Sequence, residues 1–176
     1  MNPYSSRFLQ LAAASPGPIL DCGAGGRTMP GVVGIDIVAH PNHTAIADAL
    51  ALPFPDATFD LVLSQAVIEH VTDPQRYADE IVRVLRPGGH VYVEGAFLQP
   101  VHQAPAHFFN VTAFGLAHVF RALDVLEQGT VGDFAEMVAW ICREAGVPVP
   151  ALEVPAMSDL QRWNTASGVT LLGRKP

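Results

Sequence analysis

The sequence predicts an α/β fold built on an open, mostly parallel sheet whose first three strands are joined without helices. Two apolar runs point to it. Ile19-Leu20 ends in Asp21 and a turn carrying Gly23, Gly25 and Gly26, and Val32-Val33-Gly34-Ile35 ends in Asp36. The third observation is the alternation of strand-like and helix-like segments from Phe59 onward, which is the pattern of an α/β sheet. At 176 residues the chain is read as a single domain, residues 1–176, long enough to bury a good core.

The elements follow in order. Tyr4 to Ala14 places Phe8, Leu11 and Ala12 on one helical face, and Pro16-Gly17-Pro18 ends that helix before the first strand. Ala45-Ile46-Ala47 is a third short strand ending at Asp48, and Phe59 to Gln65 is a fourth, apolar enough to be buried on both faces. Asp73-Pro74 is an N-cap with proline at the first helical position. Tyr77, Ile81, Val84 and Leu85 then share a face, Pro87-Gly88-Gly89 stops the helix, and His90 to Glu94 is strand five. Thr112 caps a segment with Phe114, Leu116, Ala117 and Phe120, and Leu123 to Leu126 is a further strand. Asp133 with Glu136 opens a helix carrying Phe134, Met137, Val138 and Ile141, closed by Gly146. A proline-rich link leads to the last strand, Gly168 to Leu172. The N-terminal helix, the loop from Gly95 to Val111 and the tail from Val147 to Ser167 must cover strands one to three, or a homodimer or partner subunit must.

A strand that stops in a glycine turn lets a ligand approach bare backbone, because no Cβ stands in the way. In open parallel sheets ligands bind beyond the carboxyl ends of the strands. Asp36 is then placed to accept two hydrogen bonds from a ribose diol, and the site reads as one for a nucleoside. Only nine residues, Gly23 to Gly31, separate the first two strands, whereas a helical crossover needs roughly ten to twelve. A pyrophosphate is normally held by the N-terminus of that helix, so a cofactor without phosphates fits better than a dinucleotide.

Composition narrows the class. The net charge of −7 and the absence of a Lys/Arg cluster argue against nucleic acid. No apolar run approaches a membrane span, and the polar start Met1 to Arg7 gives no signal-peptide pattern. Cys22 and Cys142 fit two reduced thiols of a cytoplasmic protein. The cysteines make no metal pattern; His102 and His107 could hold a metal with an Asp or Glu, but no ligand spacing recommends it and no metal is expected.

The motifs Leu20-Asp21-Cys-Gly23-Ala-Gly25, Gly34-Ile-Asp36, Asp48-Ala49 with Leu52-Pro-Phe-Pro-Asp56, Phe59-Asp60, Glu69-His70-Val71 and Arg83-Val-Leu-Arg-Pro87-Gly-Gly89 together resemble a class I S-adenosylmethionine-dependent methyltransferase of type 11. The resemblance runs from Ile19 to Phe120 and includes the final strand, Gly168 to Arg174. It implies a Rossmann-like sheet of order 3-2-1-4-5-7-6 with an antiparallel last strand, and S-adenosylmethionine as cofactor. It further implies that Gly23 and Gly25 lie beside the aminocarboxypropyl tail, with Asp21 orienting the loop. Asp36 would hold the ribose diol, Asp48 the adenine amino group and the Ala49 N–H the ring, with Gln65 near the tail and sulfonium. Glu69 and His70 also read as structural, a backbone cap and a packed helix-end residue. The segment Phe97 to Thr112 resembles a sub-branch often met near polysaccharide-synthesis genes, in which many relatives carry Asp and Arg where His107 and Asn110 stand.

The expected reaction is methyl transfer to a small molecule or a sugar of a glycan, most simply at a hydroxyl. His102 and His107, in a proline-bounded loop after strand five, are candidates for the general base, since a neutral imidazole suits pH 7. His107 is preferred, with Asn110 orienting the acceptor; the alternative is that these residues lock the loop. A cofactor-binding subunit without chemistry is the second reading, and a nicotinamide oxidoreductase a distant third.

Overall fold

A computed structural model describes residues 3–176 of the chain. In chain order the elements are α1 (Ser6–Ala14), β1 (Ile19–Cys22), β2 (Val32–Asp36), β3 (Ala45–Ile46), β4 (Phe59–Gln65), α2 (Pro74–Val84), β5 (Leu85–Ala96), α3 (Ala113–Val119), β6 (Asp124–Val131), α4 (Phe134–Glu144), α5 (Asp159–Thr165) and β7 (Gly168–Arg174). The seven strands form one sheet of order β3-β2-β1-β4-β5-β7-β6. Strands β1 to β5 are parallel to one another, and β7 runs antiparallel to both β5 and β6. This is the expected sheet, with no helix between β1 and β4.

The period-two alternation of a strand sends its side chains to opposite faces, and both faces here are covered. Leu20, Val62, Val91, Val93 and Leu171 join Tyr77, Ile81 and Val84 of α2 and Leu116 of α3 in one core layer. Their neighbours Ile19, Leu61, Leu63, Tyr92 and Leu172 pack with Phe8 and Ala12 of α1 in the other. Helix α1 is capped by Ser5, whose hydroxyl accepts from the Phe8 N–H, and α2 by Asp73, which accepts from Arg76 N–H with Pro74 at the helix start.

Where a helix is missing, a loop takes its place. Leu52 is buried against the sheet. Its N–H donates to Glu80 (2.7 Å), while Arg83 reaches the carbonyls of Leu52 and Phe54 and the carboxylate of Asp56 at 2.8–2.9 Å. Thus α2 holds residues 50–56 over the sheet by polar ties, and α1 covers the opposite face. Ile46 stays exposed on the edge strand β3, and Ile37 and Val38, just past the end of β2, are exposed at a cavity beyond the strand ends.

Three boundaries differ from expectation. Strand β5 starts at Leu85 rather than His90, because Phe59 pairs with Leu85 before the register shifts and resumes at Leu61 and His90. Strand β6 extends to Val131, paired with β7 on both sides of a register shift between Val125 and Glu127. Helix α5 stands within what reads as a proline-rich link; no residue of it is buried, and a capping box between Ser158 and Gln161 starts it.

Candidate active site

A cavity of about 750 Å³ opens at the carboxyl ends of β1, β2 and β4. One wall is the glycine turn. Gly23, Gly25 and Gly26 all take positive φ, at 87°, 56° and 83°, and the N–H groups of Gly23 and Ala24 both donate to the Ile35 carbonyl at 2.9 and 2.8 Å. The turn is thereby pinned to β2. Asp36 is pinned in return: one carboxylate oxygen accepts from Gly25 N–H (2.9 Å), the other from Val38 N–H (3.0 Å). Each oxygen keeps acceptor capacity for a diol. Asp48 accepts from Leu50 N–H at 2.8 Å in the same way.

The structure brings Gly23, Gly25, Asp36, Asp48, Ala49 and Gln65 together on this cavity. Asp21 stands behind the wall, 1% exposed, accepting from Tyr4 Oη at 2.7 Å with the Arg27 guanidinium 4.0 Å away. Burial pushes its carboxyl above the usual range, against the opposing pull of Tyr4 and Arg27. Arg27 was not singled out from the sequence. It lines the cavity, lies over the Tyr4 ring, and donates to the Gly23 and Ala24 carbonyls and to Gln65 Oε1 at 2.9–3.0 Å. Arg27 therefore ties the turn to the end of β4. Its local signal was a cation directly after the glycines, but only the fold shows that it bends back. Cys22, at the end of β1, is fully buried, and burial raises its thiol to about 12.

The loop after β5 closes the other flank with Gln103 and Ala106, opposite which His70 lines the cavity. Phe108 N–H donates to the Glu69 carbonyl at 2.7 Å, and His70 Nδ1 bonds the Ala106 carbonyl at 2.5 Å. These bonds fasten the loop to the helical turn Ile68–His70. His102, His107 and Asn110 do not line the cavity. His107 Nδ1 accepts from His102 N–H (3.2 Å), its Nε2 therefore carries the proton and donates to Asn110 Oδ1 (2.8 Å), and Asn110 Nδ2 donates to the Gln99 carbonyl (2.9 Å). Both ring nitrogens of His107 are thus engaged within the loop. This arrangement is the loop-locking alternative for His107 and Asn110. Beneath the loop, Glu69 is 1% exposed. Burial raises its carboxyl above the usual range, opposed by backbone N–H groups and by His70 and His102.

A seven-stranded sheet of this order, with a glycine turn and acidic residues at successive strand tips, defines the class I methyltransferase fold. Residues 22–93 match the family described as a methyltransferase domain, and this match together with the fold supports a class I S-adenosylmethionine-dependent methyltransferase with S-adenosylmethionine as its cofactor. A ubiquinone/menaquinone biosynthesis C-methyltransferase of Pasteurella multocida is 34% identical over 82 residues, 47% of this chain and 30% of that protein. Among solved structures, a SAM-dependent methyltransferase from Methanosarcina mazei superimposes with TM-score 0.63 at 17% identity, covering 99% of both chains. A Haloferax volcanii chain solved in complex with the Trm112 methyltransferase activator gives 0.62 at 20%, covering 96% of this chain and 88% of that one. The matched segments span 16–30% of the length of the first curated relatives.

Proposed function

We propose that this protein transfers the methyl group of S-adenosylmethionine to a small-molecule or glycan-sugar acceptor, at a hydroxyl. The observation that carries the reading is the pre-positioned Asp36 carboxylate, held by two backbone N–H groups beside a glycine turn, in a crossover too short for a phosphate-binding helix. In this reading Asp36 takes the ribose diol, Asp48 the adenine amino group and the Ala49 N–H the ring edge. Gly23 and Gly25 leave room for the aminocarboxypropyl tail, and Gln65 and Arg27 bound its far end, with Asp21 bracing Arg27 and Tyr4 from behind.

Methyl transfer is an in-line displacement at the sulfonium carbon. Its acceleration comes largely from alignment and exclusion of water, with up to roughly 7–11 kcal/mol available from proximity in favourable cases. The loop carrying His102, His107 and Asn110 forms the acceptor flank. Its internal hydrogen bonds set the position of Gln103 and Ala106 at the cavity rather than presenting His107 itself. Curated relatives are named for transfer to nitrogen, oxygen and carbon alike, and the hydroxyl is chosen here for the saccharide-associated loop.

Calorimetry tests the cofactor: S-adenosylmethionine and S-adenosylhomocysteine bind, NAD does not, and Asp36→Ala loses the affinity while staying folded. Turnover against hydroxylated sugars and phenols, amines and carbon nucleophiles tests the acceptor. Binding without turnover on any of them would convert the protein to a cofactor-binding subunit, the second reading. We also propose that the β3 edge, with exposed Ile46, meets a second copy or a partner subunit; the Haloferax volcanii chain of similar fold was solved in complex with an activator. A light-scattering mass of one chain at micromolar concentration removes the homodimer.

A further inference from the structure

Glu69, His70 and His102 come from two segments, so no local spacing announces them. The fold brings one ligand-capable atom of each within 4.8 Å of the others. Three observations distinguish this cluster from an accidental meeting of side chains. First, Glu69 is 1% exposed and its Oε2 has no hydrogen-bond partner. A buried carboxylate oxygen without a partner leaves its desolvation uncompensated, and a cation would supply that partner. Second, His70 Nδ1 lies 2.5 Å from the Ala106 carbonyl and His102 Nδ1 lies 3.0 Å from the Pro100 carbonyl. A carbonyl only accepts, so both Nδ1 atoms carry the hydrogen in the neutral rings and both Nε2 atoms keep a lone pair. This is how metal-ligating histidines are held: the second nitrogen donates to a backbone carbonyl and fixes tautomer and orientation. Third, His107 is spent on the support, accepting from the His102 backbone N–H while bonded to Asn110.

We propose that Glu69, His70 and His102 bind a divalent transition-metal ion as a two-histidine, one-carboxylate site. Atoms at such separations need shifts of less than ~1 Å to reach a shared ion at about 2.0–2.2 Å. Three protein ligands leave coordination positions open, and imidazole with carboxylate suits zinc, iron(II), cobalt(II) or nickel(II). This departs from the expectation of no metal, which rested on ligand spacing along the chain. His70 also borders the cavity, so an open position is available to an acceptor oxygen; that use rests on the methyl-transfer reading, whereas ion binding does not.

The test uses the full chain, stripped with chelator and titrated with zinc and cobalt(II) chloride in the absence of cofactor. Calorimetry is expected to give one ion per chain, and cobalt to give visible d–d bands. Cobalt should also quench Trp140, whose ring lies 5.6 Å from that of His102. His102→Ala, a half-buried loop position, should lower affinity by at least about tenfold with its melting temperature retained. Glu69→Gln should do the same if folded, and His118→Ala, at an exposed position of α3, should bind as the parent does. Absence of stoichiometric binding, or unchanged affinity and quenching in folded His102→Ala, overturns the site. Neither result bears on S-adenosylmethionine affinity, which is measured separately.

Discussion

Gly23 and Gly25 are two residues apart and equally glycine, yet they answer different constraints. A Cβ on Gly23 would lie 2.1 Å from Val67 Cγ2, at φ +87°, whereas one on Gly25, at φ +56°, would meet nothing within 4 Å. Gly23→Ala should therefore cost about 3 kcal/mol of stability through clash and backbone strain. Gly25→Ala should cost only about 1–2 kcal/mol yet lose cofactor affinity, because its methyl would enter the cavity. Denaturant unfolding beside calorimetry separates them; normal binding by Gly25→Ala would move the tail elsewhere. Glu80 carries a second residue-scale prediction. Its hydrogen bonds to Arg83, then its bond from Leu52 N–H, hold its carboxyl below the usual range despite partial burial. The folded pKa lies below the unfolded one, so the stabilisation is present above the ordinary carboxylate range and is lost as pH falls through the depressed value. Glu80→Gln should be less stable at pH 7 and show a shallower acid loss, read by urea unfolding between pH 7 and pH 3. The legibility of single residues follows the same division. Asp36 and Asp48 could be read from the chain because each is the last residue of, or just beyond, a short apolar strand. For His102, His107 and Glu69 the chain left open a choice between catalytic and structural roles, because their environments depend on which carbonyl each ring nitrogen meets and on what buries the carboxylate.

Elements were legible where an apolar face defined them and not where polar ties do. Helix α2 showed its stripe of Tyr77, Ile81 and Val84, all buried, whereas α5 buries nothing and is marked only by its capping box. The junction of α2 and β5 was not legible because what fixes it lies elsewhere in the chain: Phe59 pairs with Leu85, and Lys175 reaches back over 90 residues. Lys175 Nζ donates to the carbonyls of Val82 and Leu85 at 2.8 Å, and its backbone pairs with Gly88 and Gly89. An ammonium there satisfies carbonyls that the last helical turn leaves open and opposes the negative end of the dipole. Lys175→Met should cost about 1–2 kcal/mol. It should also speed amide exchange at the end of α2 more than in β1 or β4; uniform acceleration would show that the lysine acts on the fold as a whole rather than on this junction.

For the whole molecule, the short connections showed that the leading strands lack helices, whereas the sheet order was readable only through the family resemblance carried by the motifs at the strand tips. How the bare faces are covered was not, since α1 and the loop 50–56 reach them from opposite ends of this region. The same architecture makes ligand binding a property of the entire fold: the cavity is walled by the ends of three strands and by two long loops. A ligand that binds only the folded state stabilises it by mass action, by about 2.7 kcal/mol at a hundredfold excess over Kd. For a chain of this size that corresponds to a rise in Tm of about 5–10 °C. S-adenosylhomocysteine at that excess should produce this rise, NAD at the same concentration should produce none, and Asp36→Ala should melt near the unliganded parent with no response to either. Because Asp36 is half-exposed and bonds only neighbouring backbone, the variant keeps its core. A flat Tm with S-adenosylhomocysteine in the parent protein would therefore count against the nucleoside site itself rather than against the stability of the sheet that carries it.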